Sequence, residues 1–419
     1  MDRRHFLQAL GLAGTGLISS LIPVGRSAFA ATGNAATQKK LVVVFLRGAV
    51  DGLSVVAPYA ETDYYRYRST IALALPGVDG GVLDLDGHFG LHPALAPLMP
   101  MWQGGKLAFV HASGSPDATR SHFDAQDYME SGTPGRKATS DGWMNRLVAT
   151  LPGAASPTRA IAVGPVLPRI YAGRASVASI AQGQGATRPT LIDQPRIADA
   201  FAKLYDGDDR SSHVFRESQV ARREVFASLD AGSAMEKEQM AANNGAPLPN
   251  GFPDDAARLA RLMKSDPKIQ LGFAALGGWD THAGQGAAKG QLANRLAPLA
   301  QGLAVFADRL GTVFDDTVVV VMSEFGRTAR ENGNRGTDHG HGNVMWVMGG
   351  HVAGGKVHGD WPGIAEANLH EDRDLAITTD FRTVLADIAE RHLALGDTQL
   401  AAMFPDRPRS GSPVRVVRA

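Results

Sequence analysis

The chain has 419 residues, with 42 Lys and Arg against 42 Asp and Glu, 44% hydrophobic residues and no cysteine. That composition belongs to a soluble globular protein and excludes a disordered, collagen-like or coiled-coil chain. It also excludes disulfides, cysteine-ligated metal and thiol catalysis, and the zero net charge provides no electrostatic footprint for nucleic acid.

Arg3 and Arg4 precede an apolar run from Phe6 to Val24, and Ser27-Ala28-Phe29-Ala30 supplies an A-x-A-type cleavage site. Residues 1–30 are therefore expected to be a twin-arginine (Tat) export signal, handled by the Tat machinery. The run holds Gly, Ser, Thr and Gln8 and ends at Pro23 and Arg26, which argues against a transmembrane anchor. No stable membrane span is expected after cleavage, and the mature chain would work in the periplasm or at the cell exterior. It would carry 39 basic and 41 acidic residues.

Residues 31–419 read as a single α/β domain. Leu41 to Leu46 is a continuous apolar, β-branched run bounded by Gly48, the pattern of a strand buried on both faces. Similar runs recur at residues 107–110, 160–163, 269–275, 317–322 and 344–348. Between them lie helical periodicities: Leu292, Leu296, Leu299, Leu303 and Phe306, and Phe381, Val384, Leu385, Ile388 and His392 after a Thr379 cap. Residues 196–241 look helical and charged, 243–253 an exposed loop, and the tail from Pro405 extended. Alternating strands and helices predict a mainly parallel sheet sandwiched between helices.

Ligand-bearing residues in such sheets follow the carboxyl ends of strands. Asp51 follows the first strand, Asp280-Thr281-His282 the fourth and Glu324 the fifth, while Asp338-His339-Gly340-His341-Gly342 precedes the sixth. Carboxylates and imidazoles gathered at one sheet edge are the ingredients of a divalent-metal site. Each also has a plainer role open to it. Asp51 would cap a helix, Glu324 would pair with Arg327 or Arg330, and the histidines of 338–342 would lie on a glycine-rich loop.

Ser121 stands where a helix begins, so it is either a nucleophile at an anion-favouring N-terminus or simply an N-cap; Thr119 and Ser115 are the neighbouring hydroxyls. Arg120 would clamp oxyanion oxygens, with His122 and Asp338 supporting the ligands. Gly350 to Lys356 imitates a phosphate loop, but Val357 stands where Ser or Thr is needed. No G-x-S-x-G or H-E-x-x-H occurs.

The twin arginines, Phe45 to Leu53, Gly90 to Leu95, Ser121 to Gly132, Gly278 to His282, Ser323 to Thr328 and Thr337 to Gly342 together resemble a bacterial family of twin-arginine-exported, sulfatase-like proteins within the alkaline phosphatase superfamily. The resemblance implies an alkaline-phosphatase-like fold, two metal ions and an activated hydroxyl. By the same resemblance Asp51 matches one metal's aspartate. Asp280, His282 and either His339 or His341 match the other's ligands, and Glu324-Phe325 occupies the place of Asp-His. Phe325 departs from that pattern, and no Cys or Ser stands in a C/S-x-P-x-R context for a formylglycine sulfatase.

The reading is an exported, metal-dependent hydrolase of phosphate or sulfate esters, small or glycan-borne. It uses one or two divalent ions, with zinc or manganese favoured over magnesium or calcium. The alternative is a non-catalytic exported protein that keeps the fold to bind a surface glycan or a protein partner.

Overall fold

The computed structural model describes residues 39–137, 139–153, 156–164, 166–182, 234–408 and 414–418. The export signal, and the expected helical stretch up to residue 233, lie outside the described residues. Among those described, no helix is long and apolar enough to cross a membrane.

The centre is a nine-stranded sheet in which the six apolar runs are strands and three further short strands were not predicted. Its strands are β1 (Lys40–Leu46), β5 (Leu107–Gly114), β6 (Ala160–Val163), β7 (Ala178–Ile180), β8 (Leu271–Leu276), β9 (Thr317–Ser323), β10 (Asn343–Gly349), β11 (Lys356–His358) and β12 (Thr379–Asp380). Three short strands, β2 (Val56–Ala57), β3 (Leu83–Asp84) and β4 (Gly90–Leu91), form a separate sheet. The order in the main sheet is β11-β5-β10-β9-β1-β8-β6-β7, with β12 beside β5. Every neighbouring pair is parallel except the two that β10 makes, with β5 and β9.

β1 is buried at every position, so both faces carry core. Val42, Val44 and Leu46 point to one side, where α4 (Phe252–Ser265) and α5 (Gln291–Leu310) pack. Leu41, Val43 and Phe45 point to the other, under α2 (Trp143–Thr150), α6 (Phe381–Arg391) and α7 (Asp397–Met403). This is a mainly parallel sheet between helices, the fold class expected. Of the predicted loop at 243–253, residues 244–248 are irregular, a 3-10 turn covers Pro249–Gly251, and Phe252 and Pro253 open α4. The tail returns to the body, with Val416 and Val417 buried in the second core and Val417 bridging to Val352.

The reversed β10 decides where function gathers. Parallel strands present their carboxyl ends at one edge, and an antiparallel strand presents its amino end there. The segment before β10 therefore joins the segments after β1, β8 and β9.

Candidate metal centre

Two of those segments are locked together before any ligand is considered. Arg327 and His339 pair as an antiparallel bridge, Gly326 N donates to His341 O and Gly340 N to Gly326 O, both at 2.8 Å. A Cβ on Gly340 would lie 2.4 Å from the Arg327 carbonyl carbon, so the close approach requires glycine there. At the end of β1, Gly48 and Ala49 both take positive φ, +113° and +59°, which curls their carbonyls toward Arg327. Arg327 is buried and donates to the carbonyls of Ala49 at 2.7 Å, Gly48 at 2.7 Å and Thr337 at 3.1 Å, and to Asp280 Oδ1. One guanidinium thus ties three loops into a single rigid edge.

Within that edge, Trp279 is fully buried and donates its indole N–H to Leu276 O at 2.8 Å, which fixes Asp280 beside it. Three imidazoles meet Asp280. His339 Nε2 lies 2.9 Å from His122 Nε2 and 3.0 Å from His282 Nε2. From Asp280 Oδ1, the Nε2 atoms of His282, His339 and His122 stand at 3.0, 3.3 and 3.6 Å. Each opposite ring nitrogen is already engaged: His122 Nδ1 with Glu324 Oε1 at 2.7 Å, His282 Nδ1 with Asp338 Oδ1 at 3.0 Å, and His339 Nδ1 with the Arg120 carbonyl at 2.9 Å. All three partners are acceptors, so all three Nδ1 atoms carry a proton, and the three Nε2 atoms, bare around a metal ion or sharing further protons without one, face one point.

Nitrogens crowded about 3 Å apart with lone pairs facing one another need a cation between them, either protons or a metal ion. Donors held 2.0–2.1 Å from a tetrahedral ion lie about 3.3 Å from each other, which is the spacing seen. Asp280 Oδ2 is buried without any hydrogen-bond partner, an orphaned acceptor on the carboxylate whose other oxygen faces the three imidazoles. Glu238, exposed on α3 (Ala234–Asn243), brings a further carboxylate, so that donor atoms of Glu238, Asp280, His282 and His339 all fall within 4.8 Å of one another. The donor set fits one divalent ion.

Electrostatics follow from the same contacts. Burial opposes the ionised form of Asp280, but the hydrogen bonds from His122, His282 and His339 hold its carboxyl far below the usual range. Burial also disfavours charge on His122, yet its contacts with Asp280 and Glu324 push its pKa up to about 9. Burial would raise Glu324, and His122 instead holds it down at about 2. The hydrogen bond to Asp280 raises His282, and burial lowers His339.

The other expected residues fall elsewhere. Asp51 is buried in a forked ion pair with Arg68, at 2.5 and 3.0 Å, and its Oδ2 also accepts from Ser54 Oγ and Gln285 Nε2, both at 2.7 Å. That set of donors saturates the carboxylate, and Asp51 shares no hydrogen bond with the histidine cluster. Glu324 accepts from His122 Nδ1 and stands behind the ring, whose Nε2 faces the cluster. Phe325 is a wall: its ring lies against His122 and His339, with centroids 4.9 and 5.2 Å away. His341 is buried away from the cluster and stacks on His370 at 4.4 Å, and burial lowers its pKa to about 4. Ser121 caps α1 (His122–Ser131), accepting from Asp124 N at 3.4 Å, and is exposed. Arg120 is held by Glu371 and Asp374, both at 2.7 Å.

Solved structures of similar shape are distant. A protein in the alkaline phosphatase superfamily from Vibrio parahaemolyticus aligns at TM-score 0.43 and 11% identity, covering 89% of this chain and 71% of its own. Ps i-CgsB in complex with k-i-k-neocarrahexaose aligns at 0.38 and 10%, covering 88% and 76%. The lipoteichoic acid synthase LtaP from Listeria monocytogenes aligns at 0.33 and 9%, covering 78% and 68%. No curated protein matches the chain. Residues 88–404, which hold the sheet edge from β5 to β10 and every residue of the histidine cluster, match the family described as Protein of unknown function (DUF1501), and the chain belongs to that family.

Proposed function

We propose that the chain is an exported, mononuclear metal-dependent hydrolase of phosphate or sulfate esters. The observation that carries this reading is the convergence of three Nε2 atoms on Asp280, whose second oxygen has no partner. His122, His282, His339 and Asp280 would hold the ion, with the Glu238 carboxylate in reach as a further donor, and mixed imidazole and carboxylate donors favour zinc or manganese. A bound divalent ion supplies Lewis acidity to an ester oxygen.

The chain's own residues supply the rest. Glu324, Asp338 and the Arg120 carbonyl hold the three imidazoles in one tautomer. Arg327 supplies a permanent positive charge on Asp280. Ser121 precedes the ligand His122 at a helix N-terminus and is the hydroxyl offered to an ester there. The export part of the proposal rests on Arg3, Arg4 and the Ala28-Phe29-Ala30 site.

The test is hydrolysis of an aryl phosphate, a phosphodiester and an aryl sulfate by the mature, metal-loaded protein. Turnover of one of them that chelation stops and Asp280→Ala abolishes supports the hydrolase. An Asp280→Ala variant that turns over at the wild-type rate contradicts it, and a bound ion with no turnover on any ester leaves the binding protein in its place.

A further inference from the structure

A cavity of about 360 Å³ opens at the same edge of the sheet as the histidine cluster. Arg47 after β1, Gly164 after β6, Ala275 of β8 and Asn244 after α3 meet in its wall, together with Arg169. Phe273, Val166 and Leu167 give it apolar surface, the last two 44% and 45% exposed. Among the described lining residues the charged ones are the two arginines, and none is a carboxylate.

Both guanidiniums are fixed from behind by α1. Arg47 donates to Gln126 at 2.9 Å and to Glu130 at 2.6 Å, and Arg169 donates to Asp127 at 2.7 Å. Each nevertheless keeps one buried N–H with no acceptor, Arg47 Nε and Arg169 Nη1. Arg47 is only 5% exposed, so water reaches it poorly. Unmade buried donors are rare, and two of them on cationic residues that line one cavity mark a place for oxygen acceptors.

The cavity is coupled to the metal cluster through one helix. Gln126 accepts from Arg47 and from Asn244 at 3.2 Å, and donates to Glu324 at 3.0 Å, which in turn accepts from His122. The same α3 segment that presents Glu238 to the cluster runs on into Asn244 at the cavity.

We propose that this cavity is an anion subsite, taking an acidic substituent, carboxylate or sulfate, from a substrate whose ester lies at the metal cluster. The substrate class is then an ester with at least two acidic groups, the second carried on a ring that rests against Phe273, Val166 and Leu167. The inference rests on the hydrolase reading for its substrate but not for its binding.

The probe is benzenesulfonate, which joins one oxyanion to one ring, titrated calorimetrically into the mature protein with its metal and after chelation. The expected result is saturable binding of equal affinity in both states. Arg169→Gln weakens it at least tenfold with an unchanged melting temperature, and Arg47→Lys, which keeps the charge beside Glu130 but loses Nε, weakens it as well. Asp280→Ala, which removes turnover, leaves probe binding intact. No binding, or binding that disappears on chelation and is indifferent to Arg169→Gln, overturns the subsite.

Discussion

His122 faces the cluster with Nε2 while its Nδ1 donates to Glu324, a buried carboxylate that also accepts from Gln126 and from Gly48 N at 2.8 Å. Removing the ring and removing its support therefore have different consequences. His122→Ala abolishes tight metal binding, whereas Glu324→Gln keeps the ion and lowers affinity about 10–100-fold, the usual effect of losing a partner behind a ligand. Metal titration with a competing chelator separates the two. Equal losses in both variants would return Glu324 to the ligand set.

Protons compete with the ion for the same nitrogens. With His122 raised to about 9, the metal-free protein is protonated there at neutral pH, and binding must release that proton. Affinity consequently rises with pH, roughly tenfold per unit per proton released, and flattens above about 9. In the metal-free fold the sign is opposite. The His122 contribution to stability is complete below its unfolded value near 6.5 and is lost as pH climbs toward 9. Affinity that is flat between pH 6 and 8 would contradict this account.

Asp51 shows how far a carboxylate's place in the chain can be from its job. Its position after β1 marks it as a ligand, but Arg68, seventeen residues on, fills both of its oxygens. Asp51→Ala leaves that guanidinium buried and unpaired, a loss of about 3–5 kcal/mol. Thermal unfolding of the variant falls accordingly while the folded fraction keeps its ion. Nothing about Arg68 in the sequence announces this partnership, because it is made across a fold and not along a helix or strand. Asp280 and His282 were legible for the opposite reason: they follow an apolar run whose carboxyl end shares an edge with its parallel neighbours, whereas His339 reaches that edge through the reversal of β10. Glu238 was not, since it stands exposed on a helix within a charged stretch that has no strand beside it.

At the scale of elements, the apolar runs located six strands of the main sheet, because burial on both faces writes an uninterrupted apolar signature, but not β7, β11 and β12, which are short or partly exposed. Strand direction leaves no such mark, and β10 runs against its neighbours. That reversal brings the Asp338 to Gly342 segment to the ligand edge, where it pairs with the segment after β9 through glycine contacts. Gly340→Ala would press a methyl into the Arg327 backbone, 2.4 Å away, and force the two segments apart. The expected outcome is loss of metal binding together with a lowered melting temperature. Gly245→Ala is its control: nothing lies within 4 Å of a Cβ there, and the cost is only that of a positive φ, about 1 kcal/mol.

At the scale of the whole molecule, one sheet edge carries a cation-demanding cluster, a buried guanidinium bound to its aspartate and a cavity with unmade cationic donors. The cluster and the cavity are joined by α1, which supplies His122, Gln126 and Glu130 on successive turns. The proposed export would place that edge outside the cytoplasm, and replacing Arg3 and Arg4 together by lysine would then retain the full-length chain inside the cell, read by fractionation and by the size of the protein.

Elemental mass spectrometry on the mature protein, purified without chelator, tests the central claim most directly. The account predicts one tightly held divalent ion per chain, zinc or manganese, that is missing from Asp280→Ala and from His122→Ala. Two ions per chain, or a single ion that survives both substitutions, would contradict it.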